Sequence, residues 1–369
     1  MVPQNWIDDL RQRVDLVALG SRYGVDWGKT GASAAPKACC PFHAEKSPSF
    51  VVHTKTKAGH PIYRCYGSCG QTWDAIEFVR AFSGSSFLEA LDELAPTVGM
   101  TVPRSAETDA ARTAREAETR HKAAGYEALA AAQEWLVATL LADTADAAGA
   151  RAYLSNRGFP STGVDPFGFG FAPRDGWQLL RHLEAQGFGA EVLEYSGLLK
   201  PAADGKLARP RFWARVTLPI RDRRGRVLSF AGRVLDNGKP KYLNGPDTPL
   251  FDKGATLYGL DLAAPEIVKR GRALVVEGHF DRVACHLADL THCVAMQGTA
   301  FTPVHAATLR ALAPVVVFAT DGDDAGRKAL HRALSVCLDA GLTARCVLLP
   351  DGVDPDNVLR IPAAAPVAA

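Results

Sequence analysis

No apolar run in these 369 residues approaches the roughly 18 that a membrane-spanning helix needs. No membrane contact is therefore expected. The first residues, Asn5-Trp6-Ile7-Asp8-Asp9-Leu10-Arg11, are charged and amphipathic and lack the apolar core of a signal peptide, so the expected compartment is the cytoplasm. Cysteine is scarce. Eight in a chain this long do not make a disulfide framework, and four of them cluster near the N-terminus. Net charge is scarce too: 42 Lys and Arg against 40 Asp and Glu leave +2, so any nucleic-acid surface must come from local clustering. A phosphate-binding P-loop is also missing. Gly28-Lys29-Thr30 has its ending, but Tyr23 stands where the loop needs glycine and no strand pattern precedes it. The stretch reads as a polar loop. The length suffices for two or three domains, each with its own core.

The densest signal lies between Ala273 and Asp356. The run Ala273-Leu274-Val275-Val276 has the length and β-branching of a buried strand, and it ends in Glu277-Gly278-His279-Phe280-Asp281. Pro314 to Ala319 is a second such run, stopping at Asp321-Gly322-Asp323-Asp324-Ala325-Gly326. A third, Cys346 to Leu349, leads to Asp354-Pro355-Asp356. Helical stretches such as Gly326 to Leu338 lie between. The alternation predicts a parallel sheet with crossover helices, which binds ligands beyond the carboxyl ends of its strands. One acid after a strand is as well explained as a helix N-cap; three pairs in this order are not. Asp321 and Asp323 are two apart on extended chain, so their carboxylates face one way. Carboxylates converging in one cleft repel one another unless they take up protons or bind a cation. An all-oxygen set selects Mg²⁺ or Mn²⁺. Such a metal beside a basic surface points to phosphoryl transfer.

Near the N-terminus, Cys40-Pro41-Phe42-His43 and Cys65-Tyr66-Gly67-Ser68-Cys69 flank two short strand patterns, Phe50-Val51-Val52 and Ile62-Tyr63-Arg64. Three thiolates and an imidazole make a closed tetrahedral set for one structural Zn²⁺, with Cys40 rather than Cys39 completing the Cys-x-x-His spacing. Ile7, Leu10, Val14 and Val17 predict one core-facing helix over residues 5–19. Trp73 to Val79 reads as a helix capped by Thr72, and Ser86 with Glu89 as the capping box of the next. Residues 96–125 read as a linker running into an exposed helix. Between Lys206 and Lys241 lie Arg209, Arg211, Arg215, Arg221, Arg223, Arg224, Arg226, Arg233 and Lys239 against only Asp222 and Asp236. That predicts a dense basic patch able to attract phosphate, with Arg221 to Arg226 as a hairpin turn.

Glu277-Gly278, Asp281, Gly298-Thr299, Asp321-Gly322-Asp323 with Ala325-Gly326, and Asp354-Pro355-Asp356 resemble the Toprim fold of DnaG-type primases, topoisomerases and some nucleases. Residues 36–95 resemble the zinc-binding domain of DnaG-type primases through Cys40-Pro41-Phe42-His43, Glu45 to Phe50, Tyr63-Arg64-Cys65, Phe78-Val79 and Ser86-Phe87. One departure is that Cys65 and Cys69 are separated by three residues where the family usually has two. Residues 151–262 resemble the primase core through Tyr153 to Gly158, Phe169 to Pro173, Leu218-Pro219-Ile220, Gly232 to Leu235, Lys239 to Asn244, Phe251 to Gly254 and Leu257 to Leu260.

The resemblance implies an α/β (α+β) protein: an N-terminal zinc-ribbon module over 1–98, a linker and helix over 99–125, a basic mixed-β subdomain over 126–262, a Toprim parallel-sheet subdomain over 263–360 and a disordered tail over 361–369. It implies a DNA primase, truncated at the C-terminus, that makes short RNA primers de novo on single-stranded DNA from ribonucleoside triphosphates. Glu277, Asp321 and Asp323 are then the catalytic metal ligands, Asp354 and Asp356 further Mg²⁺ or Mn²⁺ ligands, and Asp281 an orienting group or the ligand of an added metal. Arg157, Arg233, Lys241 and Lys253 would bind template or nucleotide phosphate. A replicative helicase is a candidate partner, with no helicase-binding domain expected in this chain. Two alternatives stand beside this reading: a primase-like single-stranded-DNA-binding or regulatory protein, and a Toprim nuclease. The acid set argues against the first, and the zinc module with Gly232-Arg233 and Lys241-Tyr242 against the second.

Overall fold

The structure, a computed structural model, describes residues 2–28, 35–42, 45, 47–57, 59–67, 69–83, 85–103, 109–161, 166–202, 207–236, 238–320, 324–347, 349–350 and 353–360. The chain packs as two units, residues 1–113 with 268–271, and the remainder. Among the described residues no helix is long and apolar enough to cross a membrane.

In the first unit, helices α1 (Gln4–Arg13) and α2 (Leu16–Arg22) precede an antiparallel sheet of β1 (Lys37–Ala38), β2 (Phe50–His53), β3 (Ile62–Cys65) and β4 (Thr72–Trp73), followed by α3 (Ala75–Ser83) and α4 (Phe87–Leu94). The single helix expected over 5–19 is two. Asp15 leaves helical backbone and accepts the N–H groups of Val17 and Ala18, so it caps α2 and ends α1. Trp73, expected in a helix, instead pairs with Tyr63 in the sheet. The helix starts two residues later because Asp74 and Glu77 cap it reciprocally, at 2.8 and 3.3 Å. Ser86 and Glu89 form the capping box that the sequence predicts. The core is aromatic: Phe50, Tyr63 and Phe78 are fully buried, with Trp27 stacked on Phe50 and Tyr63.

The second unit begins in the long helix α5 (Asp109–Leu141) and continues with α6 (Ala145–Asn156), β5 (Gly170–Ala172), α7 (Trp177–Ala185) and α8 (Ala190–Tyr195). A short antiparallel pair, β6 (Leu199–Lys200) and β7 (Arg209–Pro210), leads to β8 (Arg215–Arg221), β9 (Val227–Val234) and β10 (Tyr242–Asn244). The first sheet is antiparallel, in the order β10-β9-β8-β5. The β8–β9 turn is the hairpin that the sequence predicts, with Asp222 accepting the N–H groups of Arg224 and Arg226.

The chain then alternates: α9 (Leu260–Arg270), β11 (Arg272–Val276), α10 (His279–Leu287), β12 (Cys293–Ala295), α11 (Pro303–Arg310), β13 (Val315–Ala319), α12 (Asp324–Asp339), β14 (Thr343–Val347) and α13 (Pro355–Arg360). All four strands are parallel, in the order β12-β11-β13-β14. After β12 the chain crosses to the far side of β11. The carboxyl ends of β11 and β13 therefore flank a topological switch point, where such sheets bind ligands. The third predicted strand starts at Thr343, not Cys346. At the sheet edge its residues are mostly exposed, so Thr343, Ala344 and Arg345 give no apolar signal. One core serves both sheets of this unit: Phe159, Phe167, Phe169 and Phe171 pack with Val276, Phe280 and Val283.

Gly259 shows how tightly the two halves of this core meet. Its φ is +77°, and a Cβ there would lie 2.1 Å from Arg282 Nε. The Arg282 side chain is fully buried and donates to the carbonyls of Gly259 and Cys293. Gly259→Ala would add backbone strain and displace a buried cation, so it should destabilise this unit by roughly 3 kcal/mol or more. Urea unfolding at unchanged m-value measures it. A loss below about 1 kcal/mol would mean that Arg282 moves aside freely.

Candidate functional site

Cys40 follows β1, Cys65 ends β3 and Cys69 precedes β4. Their sulfurs lie within 4.8 Å of one another, Cys40 and Cys69 at 3.8 Å. A tetrahedral zinc with Zn–S of about 2.3 Å spaces its sulfurs by about 3.8 Å, so the trio fits zinc. Cys39 is exposed and outside the cluster. His43, the expected fourth ligand, lies outside the described residues. The Glu45 carboxylate accepts the N–H groups of Cys40 at 2.8 Å and Ser49 at 3.0 Å, and so shapes the first knuckle. Burial pushes the Cys40 thiol up. Burial would raise Cys65 as well, but hydrogen bonds from Ser49, Cys69 and Gly67 bring its thiol below the ordinary value. Three sulfurs this close must otherwise hold protons, and zinc displaces them.

At the carboxyl edge of the parallel sheet, Glu277 is half-buried directly after β11. Asp281 stands in the first turn of α10 and accepts the N–H groups of Gly278 at 3.1 Å and Asp356 at 3.3 Å. A Cβ at Gly278 would meet Asp281 Oδ2 at 2.5 Å, so only glycine lets that carboxylate fold back. Asp354 caps α13, accepting Asn357 N–H at 2.7 Å. Asp356 is 1% exposed, and its carboxylate accepts from Arg157 Nη2. Asp321 and Asp323 lie outside the described residues, on the segment that follows β13. Among the described residues these carboxylates do not form a group close enough to share a cation, as the three thiols do.

Of the predicted basic residues, Arg233 lies on the antiparallel sheet, Arg157 at the end of α6, and Lys241 and Lys253 outside the strands. Arg233 of β9 faces Tyr242 of β10, its guanidinium 4.3 Å over that ring and 6.0 Å from the Tyr153 ring. Arg233 is 9% exposed, and neither its Nε nor its Nη1 has a hydrogen-bond partner. Buried guanidinium nitrogens without hydrogen-bond partners are costly, and an anion at this point would satisfy them. Burial pushes the Tyr242 phenol up, against the pull of Arg233 and Arg157. A pocket of about 570 Å³ opens here, lined by Tyr153, Arg233, Asp236, Lys239 and Lys241 among others. Lys241 is exposed. Arg157 donates to the Tyr153 hydroxyl at 2.8 Å and lies over the rings of Phe159 and Phe280. Lys253 is half-buried on the loop after β10, with Nζ 3.7 Å from Asp247.

The single basic patch read from the sequence is divided. Arg211, Arg215 and Arg221 donate to the carbonyls of Asn244, Pro240 and Pro166, and Arg226 pairs with Asp222. These guanidinia fasten loops, whereas Arg233 Nε and Nη1 have no hydrogen-bond partner. The sequence reading missed a second cleft, of about 200 Å³, lined by Arg174, Asp175, Trp177, Arg209, Pro210 and Trp213 among others. Trp177 and Trp213 are 42% and 38% exposed, and Arg209 lies 5.7 Å over the Trp213 ring. Tryptophans beside arginines were the available signal, but the two lie on separate segments that only the fold brings together.

Residues 2–110 match the family described as CHC2 zinc finger, 137–264 the DNA primase catalytic core N-terminal domain, and 274–359 the Toprim-like family. The DNA primase of Pseudomonas aeruginosa is 39% identical over 98% of this chain and 53% of its own length. That of Neisseria meningitidis is 40% identical over 98% of this chain and 59% of its own. The chain thus spans somewhat more than half the length of these curated relatives. Among solved structures, the Aquifex aeolicus primase (zinc binding and RNA polymerase domains) is 34% identical with a TM-score of 0.57, over 96% of this chain and 81% of that one. A DnaG primase catalytic domain bound to single-stranded DNA is 36% identical with a TM-score of 0.59, over 66% and 77%. Matched along nearly its whole length by primase sequences, and by a solved primase of which it covers four-fifths, the chain belongs to the DnaG-type DNA primase family.

Proposed function

We propose that this chain is a DNA-directed RNA polymerase of the primase type, joining ribonucleotides de novo on single-stranded DNA. The carrying observation is Arg233, a buried guanidinium with two unpartnered nitrogens, in the unit that also presents Glu277 at the switch point of a parallel sheet. A nucleotide phosphate satisfies that cation, with Lys241 at the pocket mouth and Lys253 on the neighbouring loop. Glu277, with Asp321 and Asp323, would hold the divalent metal, Mg²⁺ or Mn²⁺. Bound there, it supplies charge stabilisation to the attacking and leaving oxygens. Asp281, Asp354 and Asp356 shape that end of the sheet through backbone N–H groups and Arg157. Trp177 and Trp213 offer stacking faces, and Arg174 and Arg209 phosphate contacts, for a template strand. The zinc module contributes a rigid surface for the template start. The partners required are a DNA template and ribonucleoside triphosphates. A replicative helicase is a candidate further partner. The cytoplasm is the compartment that holds both partners.

The test is primer synthesis on single-stranded DNA with labelled ribonucleotides and Mg²⁺ or Mn²⁺, beside an Asp321→Ala, Asp323→Ala variant. The parent should make short RNA, and the variant at least about 10³-fold less, as expected when metal-borne charge stabilisation goes. No RNA from the parent, with DNA still bound, would support a binding protein. Degraded DNA would support the nuclease.

A further inference from the structure

Gln297, two residues after the end of β12, is 1% exposed yet has a φ of +63°, in the left-handed region that residues with a side chain avoid. Gly298 follows at +74°. A turn of two left-handed residues is cheapest with glycine at both positions, so a buried glutamine at the first needs a reason. Its contacts supply one. The side-chain amide donates to the Thr256 carbonyl at 2.7 Å, three residues beyond Lys253. The backbone carbonyl, aimed by the left-handed turn, accepts from Asn244 Nδ2 at 2.6 Å, three residues beyond Lys241. The side chain also lies beside the buried His279 ring, two residues beyond Glu277. One residue thus touches the three segments that carry the two lysines and the acid. Asn244 is held on its other side by Arg211, which donates to its carbonyl at 2.7 Å, so the chain of contacts reaches back to the β7–β8 connection.

We propose that Gln297 is a positioning residue for nucleoside triphosphate binding, fixing the Lys241 and Lys253 segments relative to Glu277. The inference rests on the primase reading of the same site and adds a residue that touches neither metal nor phosphate. A purely structural role would show in stability alone, and the strained backbone lets the two be separated. Gln297→Leu keeps bulk and loses the donor, while staying strained. Gln297→Gly loses the donor and relieves the strain.

The experiment measures binding of ATP with Mg²⁺ by calorimetry, together with the thermal midpoint, for the parent, both variants and Asn244→Ala. All three variants should bind about tenfold more weakly, the worth of one well-placed hydrogen bond, while Gln297→Gly melts no lower than Gln297→Leu. In primer synthesis the KM for ribonucleotide should rise by a similar factor, with kcat changed less than about twofold. Binding within twofold of the parent in both Gln297 variants, whatever their melting points, overturns the inference and leaves the primase reading standing. A parent that binds no ATP with Mg²⁺ overturns both.

Discussion

Cys40→Ala is expected to release the zinc and collapse the sheet of residues 37–73, while the unit containing the parallel sheet keeps its own unfolding transition. The strands are short: β1 and β4 have two residues each, β2 and β3 four. Ladders of that length do not hold themselves. Cys65 and Cys69 bracket the connection from β3 to β4, and Cys40 ties it to the end of β1. Removing one ligand therefore frees three strands at once. Against this stands the aromatic core of Phe50, Tyr63 and Phe78, which is fully buried. A structural zinc is worth about 10–16 kcal/mol in zinc-finger peptides, whereas a whole domain is stable by about 5–15 kcal/mol. The metal should win. Parent protein should carry about one zinc per chain by metal analysis. Cys40→Ala should lose it along with the near-UV circular dichroism of Tyr63 and Trp73, and exposed Cys39→Ala should lose neither. A metal-free Cys40→Ala protein with an unchanged near-UV spectrum would remove zinc from the account.

What could be read in the sequence follows the range of the interactions involved. β11 and β13 are continuous apolar runs because both faces of a central parallel strand are covered. β14 was misplaced because an exposed edge strand has no such demand. The three clustered thiols were legible because metal geometry imposes local spacing, while His43 lies outside the described residues. Asp15 and Asp74 are ordinary caps, and each moved a helix start that the apolar periodicity alone could not fix. The sequence offers candidate site residues one at a time and says little of how they meet. Eleven basic residues crowd the stretch from Lys206 to Lys241, but which of them fasten loops depends on carbonyls elsewhere, such as Pro166 for Arg221. The pairing of Arg157 with Asp356 spans 199 positions and no local pattern announces it.

That pairing carries the second large expected effect. Arg157→Ala should destabilise its unit by about 3–5 kcal/mol, because it leaves a carboxylate in the interior without its cation. Asp356 is 1% exposed and the Arg157 side chain 19%, so solvent screens little of the loss. The guanidinium also donates to Tyr153 and covers the rings of Tyr153, Phe159 and Phe280, and alanine forfeits those contacts too. Asp356→Asn alone removes the charge and keeps most of the shape. Added to Arg157→Ala, it should restore about 2 kcal/mol or more, since no uncompensated charge then remains. If Arg157 instead served only to meet phosphate, the result would invert: alanine would relieve its repulsion with nearby Arg233, leave stability unchanged or higher, and act only on DNA or nucleotide affinity. Urea unfolding of the two single variants and the double variant separates the cases, because only a buried pair gives a coupling energy that rescues. A rescue would also explain why two residues that the sequence assigns to different ligands, one to phosphate and one to metal, meet each other: the pair anchors α6 to α13 and so holds the acidic end of the parallel sheet against the wall that carries Arg233.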